Sequence, residues 1–539
     1  MPEAVVSTRS GAVLGHEEGG AFAFLGVPYA APAIGENRFR PPRRATSWDG
    51  VRLAEEFGPI PPQPTSGIGS YVPGDPLEQS ENCLFLNVWT PRVGRARLPV
   101  MVYVHGGAFM NGAGSSVLYR PKRLAARGVV VVTINYRLGA LGFLAHPALA
   151  DGESGGFGNW GLLDIIAALS WVNENISGFG GDPANVTVFG ESAGAMAICD
   201  LLSVDRARRL FRRAIVQSGA ALVSEPEAAT RVADRFAQLL SIAEPSREIL
   251  SEVPVDEILE AQRVINAEVD NGIGLPFQPV IDGGLIRGHP EDAIVAGASA
   301  GIDLIAGSNR DEFTLFSFGA LAGRTFEAAD LEALIGRYLR GSGLDEARAR
   351  DVIGAYRSAR ESRGETISTR ELLDAILTDF IFRIPIVRLA EAHAAHAPNT
   401  YLYEFDWSSP FAGGALGACH GIELPFVFGT VHDQLIALFA GGGEAAYQLS
   451  EAVQASWVAF ASSGNPSNDI TGAWPRFRVQ ERSVMRLGAE VGPVRAPRED
   501  EREFWARELG RYGFGGPIEG ARRLGVGFLA PGEDEHSGA

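Results

Sequence analysis

Three serines of this chain sit at the centre of a G-x-S-x-G pattern, and a serine so placed can serve as a covalent nucleophile. Residues 190–194 carry Ser192, 152–156 carry Ser154 and 297–301 carry Ser299. With 66 glycines in 539 residues, chance alone supplies on the order of one match, so flanking sequence must decide. Ser154 lies in a glycine-rich loop with no strand before it. Ser299 follows a helix-like PEDAIVA and precedes a strand-like IDLIAG, the reverse of the useful order. Ser192 follows the apolar, β-branched run 186–189 and precedes the helix-favouring 193–202. Strand, sharp turn, helix is the nucleophile elbow: flanking glycines permit a strained turn that lifts the hydroxyl clear, and the helix N-terminus offers free N–H groups beside it.

A serine hydroxyl is a weak nucleophile at neutral pH and needs a base, which in turn needs an orienting carboxylate. Elbow enzymes present these in the order serine, acid, histidine. Two downstream segments fit. GSNRDEFTLF (307–316) follows a strand at 302–306 and offers Asp311 or Glu312; ACHGIELPFVFG (418–429) follows a strand at 400–407 and offers His420. Both lie on loops after strands, at the sheet edge that carries the elbow. Of nine histidines, His393 and His396 fall on a predicted surface helix, His16 and His536 lie near the ends, and His432 lacks the HGIELPFVFG surroundings. His105 opens HGGAF (105–109), a loop after the strand 99–105. That loop's small residues suit a backbone that must approach a carbonyl oxygen, so His105 shapes the loop rather than taking protons. The N–H groups of Gly107 and Ala108, with that of Ala193, are expected to form a three-donor oxyanion hole. Burial opposes and a carboxylate favours the imidazolium, so such a base is expected to titrate between roughly 6 and 7.5.

Strands at 84–89, 99–105, 129–136, 186–189, 213–217, 302–306 and 400–407 alternate with helical stretches such as 161–176 and 445–462. This predicts an α/β fold with a mostly parallel central sheet and helices on both faces. The largely helical 221–300 and 320–397 are expected as insertions over the carboxyl ends of the strands, above the active site. Residues 1–511 are read as a single domain and 512–539, rich in glycine and acidic residues, as a mobile tail. Residues 58–80 read as a surface loop. Hydrophobic residues at 46% and a net charge of −18 describe a globular acidic chain and argue against nucleic acid and anionic membrane surfaces as partners. Three scattered cysteines (Cys83, Cys199, Cys419) imply no disulfide framework. There is no basic-then-apolar leader and no apolar run near 18 residues, so the expected location is cytoplasmic. No metal-ligand spacing and no cofactor motif is present; no cofactor is expected. The chain is expected to be a monomer or weak homo-oligomer.

The chain resembles the type-B carboxylesterase/lipase family, which has the α/β-hydrolase fold. FGGDPANVTVFGESAG (179–194) and SENCLFLNVW (80–89) match the family's two signatures, and NYRLGALGFL (135–144), GNWGLLDIIAALSWVNENI (158–176) and IVQSG (215–219) also match. The likeness runs from about residue 5 to 505. It implies a serine carboxylic-ester hydrolase with Ser192 as nucleophile, Glu312 rather than Asp311 as acid, His420 as base and Ser218 as a buried serine supporting the triad; Glu423 is given a structural role. Secreted members pair the cysteine matching Cys83 with one upstream, where this chain has FGPIPPQ (57–63), so Cys83 is expected to be a free buried thiol. Cholinesterases hold their cation on a tryptophan of this loop; residues 60–82 contain none, which implies an uncharged small-molecule ester. Ile165 stands where the family commonly has Gln, without a functional account. Carbamate or amide cleavage by the same residues, and the triad-less adhesion members of the family, are the alternatives; the latter usually lack the serine that this chain keeps.

Overall fold

A computed structural model describes residues 3–64, 74–75, 78–150, 152, 156–268, 275–320, 326–341, 346–365 and 368–508 of the chain. The expected tail at 512–539 and the decoy Ser154 lie outside the described residues.

Thirteen strands form one sheet: β1 Glu3–Ser7, β2 Ala12–Glu18, β3 Ala21–Pro28, β4 Val51–Leu53, β5 Phe85–Thr90, β6 Leu98–Val104, β7 Val130–Ile134, β8 Gly181–Glu191, β9 Arg213–Gln217, β10 Asp303–Asn309, β11 Thr400–Asp406, β12 Ser483–Gly488 and β13 Val491–Arg495. Their order is β1-β2-β3-β5-β7-β6-β8-β9-β10-β11-β12-β13, with β4 beside β2. From β7 through β6, β8, β9, β10 and β11 to β12 every pairing is parallel. β1, β2, β3, β5 and β7 pair antiparallel in that order, as does the β12–β13 hairpin, while β4 pairs parallel with β2.

The central strands are continuous apolar runs because both faces are covered. Alternate residues of β6 serve different cores: Val100, Val102 and Val104 face one, Met101 and Tyr103 the other. The first core takes Leu162, Ile165, Leu169 and Val172 of the helix Trp160–Asn175 and the helix that follows β8. Ile165 is wholly buried there, so an apolar side chain suits a site where an amide would need partners. The second core takes Leu449, Val453, Trp457 and Phe460 of the helix Glu444–Ser463. A third core, built from Phe313 and from side chains between Leu331 and Ile384, closes against Phe504 and Trp505 of the helix Glu499–Glu508.

Two expectations change. The stretch read as a surface loop is buried at Ile60 and Gln63, because Gln63 is needed inside: its Oε1 accepts from Gly112 N at 2.8 Å and its Nε2 donates to Gly112 O at 3.0 Å. The hairpin β12–β13 was not read from the sequence; its outer strand is short, edge-placed and interrupted by Pro493.

Candidate active site

β8 ends at Glu191 and the helix Ala193–Leu201 begins two residues later, so Ser192 makes the whole turn. It does so with φ 54 and ψ −125, a left-handed strain held by the surrounding backbone. Ser192 N donates to Gln217 O at 2.9 Å and its carbonyl caps the helix through Met196 N at 2.9 Å. The turn leaves no space at Gly194, where a Cβ would lie 2.0 Å from Val104 O. A Cβ on Gly106 would meet the Glu191 carboxylate at 2.6 Å and Ser192 Cβ at 2.9 Å, so the 105–109 loop lies directly on the elbow. Ala108 and Phe109 in that loop, and Ser218 after β9, also hold positive φ (57, 58 and 55). Each such conformation costs of order 1–3 kcal/mol and persists only where packing over-determines it. The N–H groups of Gly107, Ala108 and Ala193 donate to no protein acceptor among the described residues.

Glu312 and His420 follow β10 and β11, which run parallel to β8 and bring both to the elbow's edge. Glu312 Oε2 is 2.6 Å from His420 Nδ1. Its other oxygen accepts from Ser218 Oγ at 2.5 Å and Asn309 N at 2.7 Å, and its carbonyl accepts from His420 N at 3.3 Å. With the carboxylate as acceptor, Nδ1 carries the proton and Nε2 is left to exchange one. Asp311, one residue away, turns outward: it pairs with Arg310 at 2.8 Å and accepts from Ala418 N at 2.9 Å. Glu423 is buried beneath, accepting from Gln217 Nε2 at 3.0 Å and Asn309 Nδ2 at 2.7 Å, while Asn309 also donates to Cys419 O at 2.8 Å. These bonds tie the His420 loop to β9 and β10.

The sequence reading overlooked one neighbour, Glu191. Its Oε1 lies 3.0 Å from His420 Nε2, in charge contact but out of hydrogen-bond alignment. Ser192 Oγ makes no hydrogen bond to His420 in this state; catalytic bonds of this kind often tighten only with substrate. Burial resists the imidazolium, but Glu191 and Glu312 together outweigh it and raise the His420 pKa to about 9. The Glu191 carboxyl is itself raised to about 8, first by burial and then by Glu423 and Glu312, against the pull of His420. The interval of 6 to 7.5 expected from one carboxylate is therefore too acid. The signal lay inside the motif: the residue before Ser192 in GESAG is an acid.

The other histidines do different work. His105 is fully buried, bonded through Nδ1 to Gly106 O at 2.8 Å and stacked on Tyr136, and burial lowers its pKa to about 4. His393 bonds Thr400 Oγ1 at 2.7 Å, and His432 stacks on Tyr447. Ser299 is buried before β10, in the helix-then-strand order. Phe316 and Phe382 pack on the His420 ring with centroids at 5.2 and 4.8 Å. All three cysteines are buried and unpaired. Among the described residues, no group of His, Cys, Asp and Glu is arranged to hold a metal ion, and no helix is long and apolar enough to cross a membrane.

Against known proteins, residues 2–505 match the carboxylesterase family. The para-nitrobenzyl esterase of Bacillus subtilis (strain 168) is 39% identical over 509 residues, 93% of this chain and 98% of that protein. The fumonisin B1 esterase of Sphingopyxis macrogoltabida is 36% identical over 513 residues, 91% of this chain and 87% of that protein. A solved para-nitrobenzyl (PNB) esterase structure superposes with TM-score 0.81 at 37% identity, covering 93% of this chain and 98% of the other. The fold is the α/β-hydrolase fold.

Proposed function

The chain belongs to the carboxylesterase family and is a carboxylic-ester hydrolase, and on that premise we propose that Ser192 is its nucleophile, His420 its general base and acid, and Glu312 the carboxylate that orients the base. The observation that carries this reading is the 2.6 Å contact of Glu312 with His420 Nδ1, at the sheet edge that carries the strained Ser192 turn. Ser192 Oγ attacks the ester carbonyl as its proton passes to His420 Nε2. The N–H groups of Gly107, Ala108 and Ala193 receive the oxyanion. The imidazolium, stabilised by Glu312, gives the proton to the leaving alcohol; water then hydrolyses the acyl-enzyme by the same relay. Ser218 and the Asn309 N–H hold Glu312 in place.

The substrate is a small uncharged ester. The apolar faces of Phe316 and Phe382 beside the base, and the lack of tryptophan at 60–82, support that reading. The protein acts in the cytoplasm, a reading supported by three buried thiols without disulfide partners. The test is turnover of 4-nitrophenyl acetate together with mass-spectrometric mapping of an organophosphate adduct. Turnover with the adduct on Ser192 is expected; an adduct on Ser299 or Ser154 overturns the assignment. A higher kcat/KM for butyrylcholine than for a neutral ester of equal shape overturns the substrate class.

A further inference from the structure

The helical run from Thr369 to Ala394 is broken by a π-helical turn at Asp379–Arg383. Its cause is in the sequence: Pro385 has no N–H to give the carbonyl four residues back and its ring crowds that carbonyl, so the helix widens before it. The widened turn sets the Phe382 ring on His420, and Phe316, from the helix just after Glu312, lies nearly parallel to it (centroids 6.1 Å, planes 13° apart).

The turn is clasped from outside by a buried polar network. Arg383 spans it to Asp379 with two hydrogen bonds of 2.5 and 2.6 Å. Tyr356 OH donates to Asp379 at 2.6 Å and receives Trp505 Nε1 at 2.7 Å. Arg383 also donates to Pro497 O at 3.2 Å and lies 3.7 Å from Glu501, which is bound to Arg363 at 2.5 Å. Tyr356, Asp379 and Trp505 are at most 1% exposed. Buried ion pairs are poor sources of net stability but good at fixing one conformation, and what this one fixes is the backbone that carries Phe382.

We propose that Asp379 and Arg383 are positioning residues for substrate selection: their ion pair, clasped by Tyr356 and the helix Glu499–Glu508, locks the π turn that holds Phe382 against His420 and so limits the bulk of the ester admitted beside the base. The inference rests on the triad assignment above. Its test is kcat/KM for 4-nitrophenyl acetate, butyrate and octanoate, and for ethyl, hexyl and benzyl acetates, in wild type, Phe382→Ala, Arg383→Met, Arg383→Lys and Tyr356→Phe, with Tm recorded for each. Phe382→Ala is expected to raise the bulky-to-small ratio in one series about tenfold. Arg383→Met is expected to raise it in the same series and direction by threefold or more, with Arg383→Lys restoring much of the wild-type ratio. Arg383→Met strands a buried carboxylate; Tyr356→Phe removes a single hydroxyl and is the variant to rely on if the former does not fold. For Tyr356→Phe the ratio moves while kcat on acetate and the pH limb of kcat/KM stay as in wild type. A lowered Tm with unchanged ratios in both series makes the network structural only and overturns the proposal. Fluorophosphonate labelling of Ser192 in the same preparations separates the two failures: unlabelled Ser192 in wild type refutes the triad reading, and labelled Ser192 with unchanged ratios refutes this one alone.

Discussion

Ser192, Glu312, His420 and Glu191 form one charge system, and each has a distinct expected signature. Ser192→Ala should lower kcat about 10⁶-fold, leaving the contribution of the oxyanion donors and binding, whereas Ser299→Ala should stay within a few-fold of wild type; single-turnover assays with 4-nitrophenyl acetate measure both. Glu312→Gln should cost about 10⁴ by analogy with the Asp→Asn change in a serine-protease triad, since the amide no longer fixes the Nδ1–H tautomer or balances the imidazolium. Near-wild-type activity in Glu312→Gln, with Asp311→Asn crippled, moves the acid to the neighbouring position. Glu191 predicts the pH profile. His420 must be neutral to take the serine proton, so kcat/KM rises with pH through its pKa, which two anions hold above the ordinary histidine range. Glu191→Gln removes one anion and should shift this acid limb toward lower pH. A limb that stays put, or moves up, contradicts the role given to Glu191.

Among the elements, those with strong local signals were legible and those defined by neighbours were not. β6, β7, β8, β9, β10 and β11 are β-branched or apolar runs, and the turn at Ser192 declares itself through strand, glycines and helix. Glu312 and His420 could be put on loops after strands, but only the parallel register of β8, β9, β10 and β11 shows them meeting. Gln63 was illegible because its role is a pair of hydrogen bonds to Gly112, 49 residues away, in a stretch whose composition reads as loop. The π turn was illegible for a related reason: Pro385 marks a break in a helix, and tertiary contacts decide whether the break becomes a kink, an end or a bulge. Gln63→Leu should therefore loosen the loop that carries Gly107 and Ala108. Losing its bonds to Gly112 removes roughly 1–3 kcal/mol of support. With about half of that felt at the oxyanion, kcat falls roughly two- to tenfold with KM little changed. A change confined to KM means the loop is held without Gln63.

For the whole molecule, the buried titrating groups set stability and activity against each other as pH changes. His105 and His393 are neutral in the fold, with pKa values lowered to about 4 by burial. Between about 6.5 and 4 the unfolded chain binds protons that these two sites refuse, so stability falls as pH drops through that window. The Asp379 and Glu404 carboxylates act in the same direction below it: burial opposes their charge, but their arginine partners hold them below the usual range, so the stability they contribute is lost on protonation. On the alkaline side the signs reverse. His420, raised to about 9, and Glu191, raised to about 8, keep protons in the fold that the unfolded chain has released. Their contribution is complete below the unfolded pKa values and is lost as pH climbs toward 8 and 9, at up to about 1.4 kcal/mol per pH unit for each group. Above pH 6.5 His105 and His393 are neutral in the folded and unfolded chain alike and no longer offset the pair, so Tm should decline as pH climbs toward 8 and 9. Activity requires the loss of the proton that stability retains, so kcat/KM should climb over the interval in which Tm falls. The measurement is calorimetric Tm and kcat/KM with a neutral ester on the same protein from pH 4 to 9.5, in wild type and Glu191→Gln. Glu191→Gln should flatten the alkaline decline of Tm while moving the activity limb to lower pH. A wild-type Tm that is level or rising between pH 6.5 and 9 would mean that His420 and Glu191 hold no extra protons in the fold, and the catalytic limb should then lie in the ordinary histidine range.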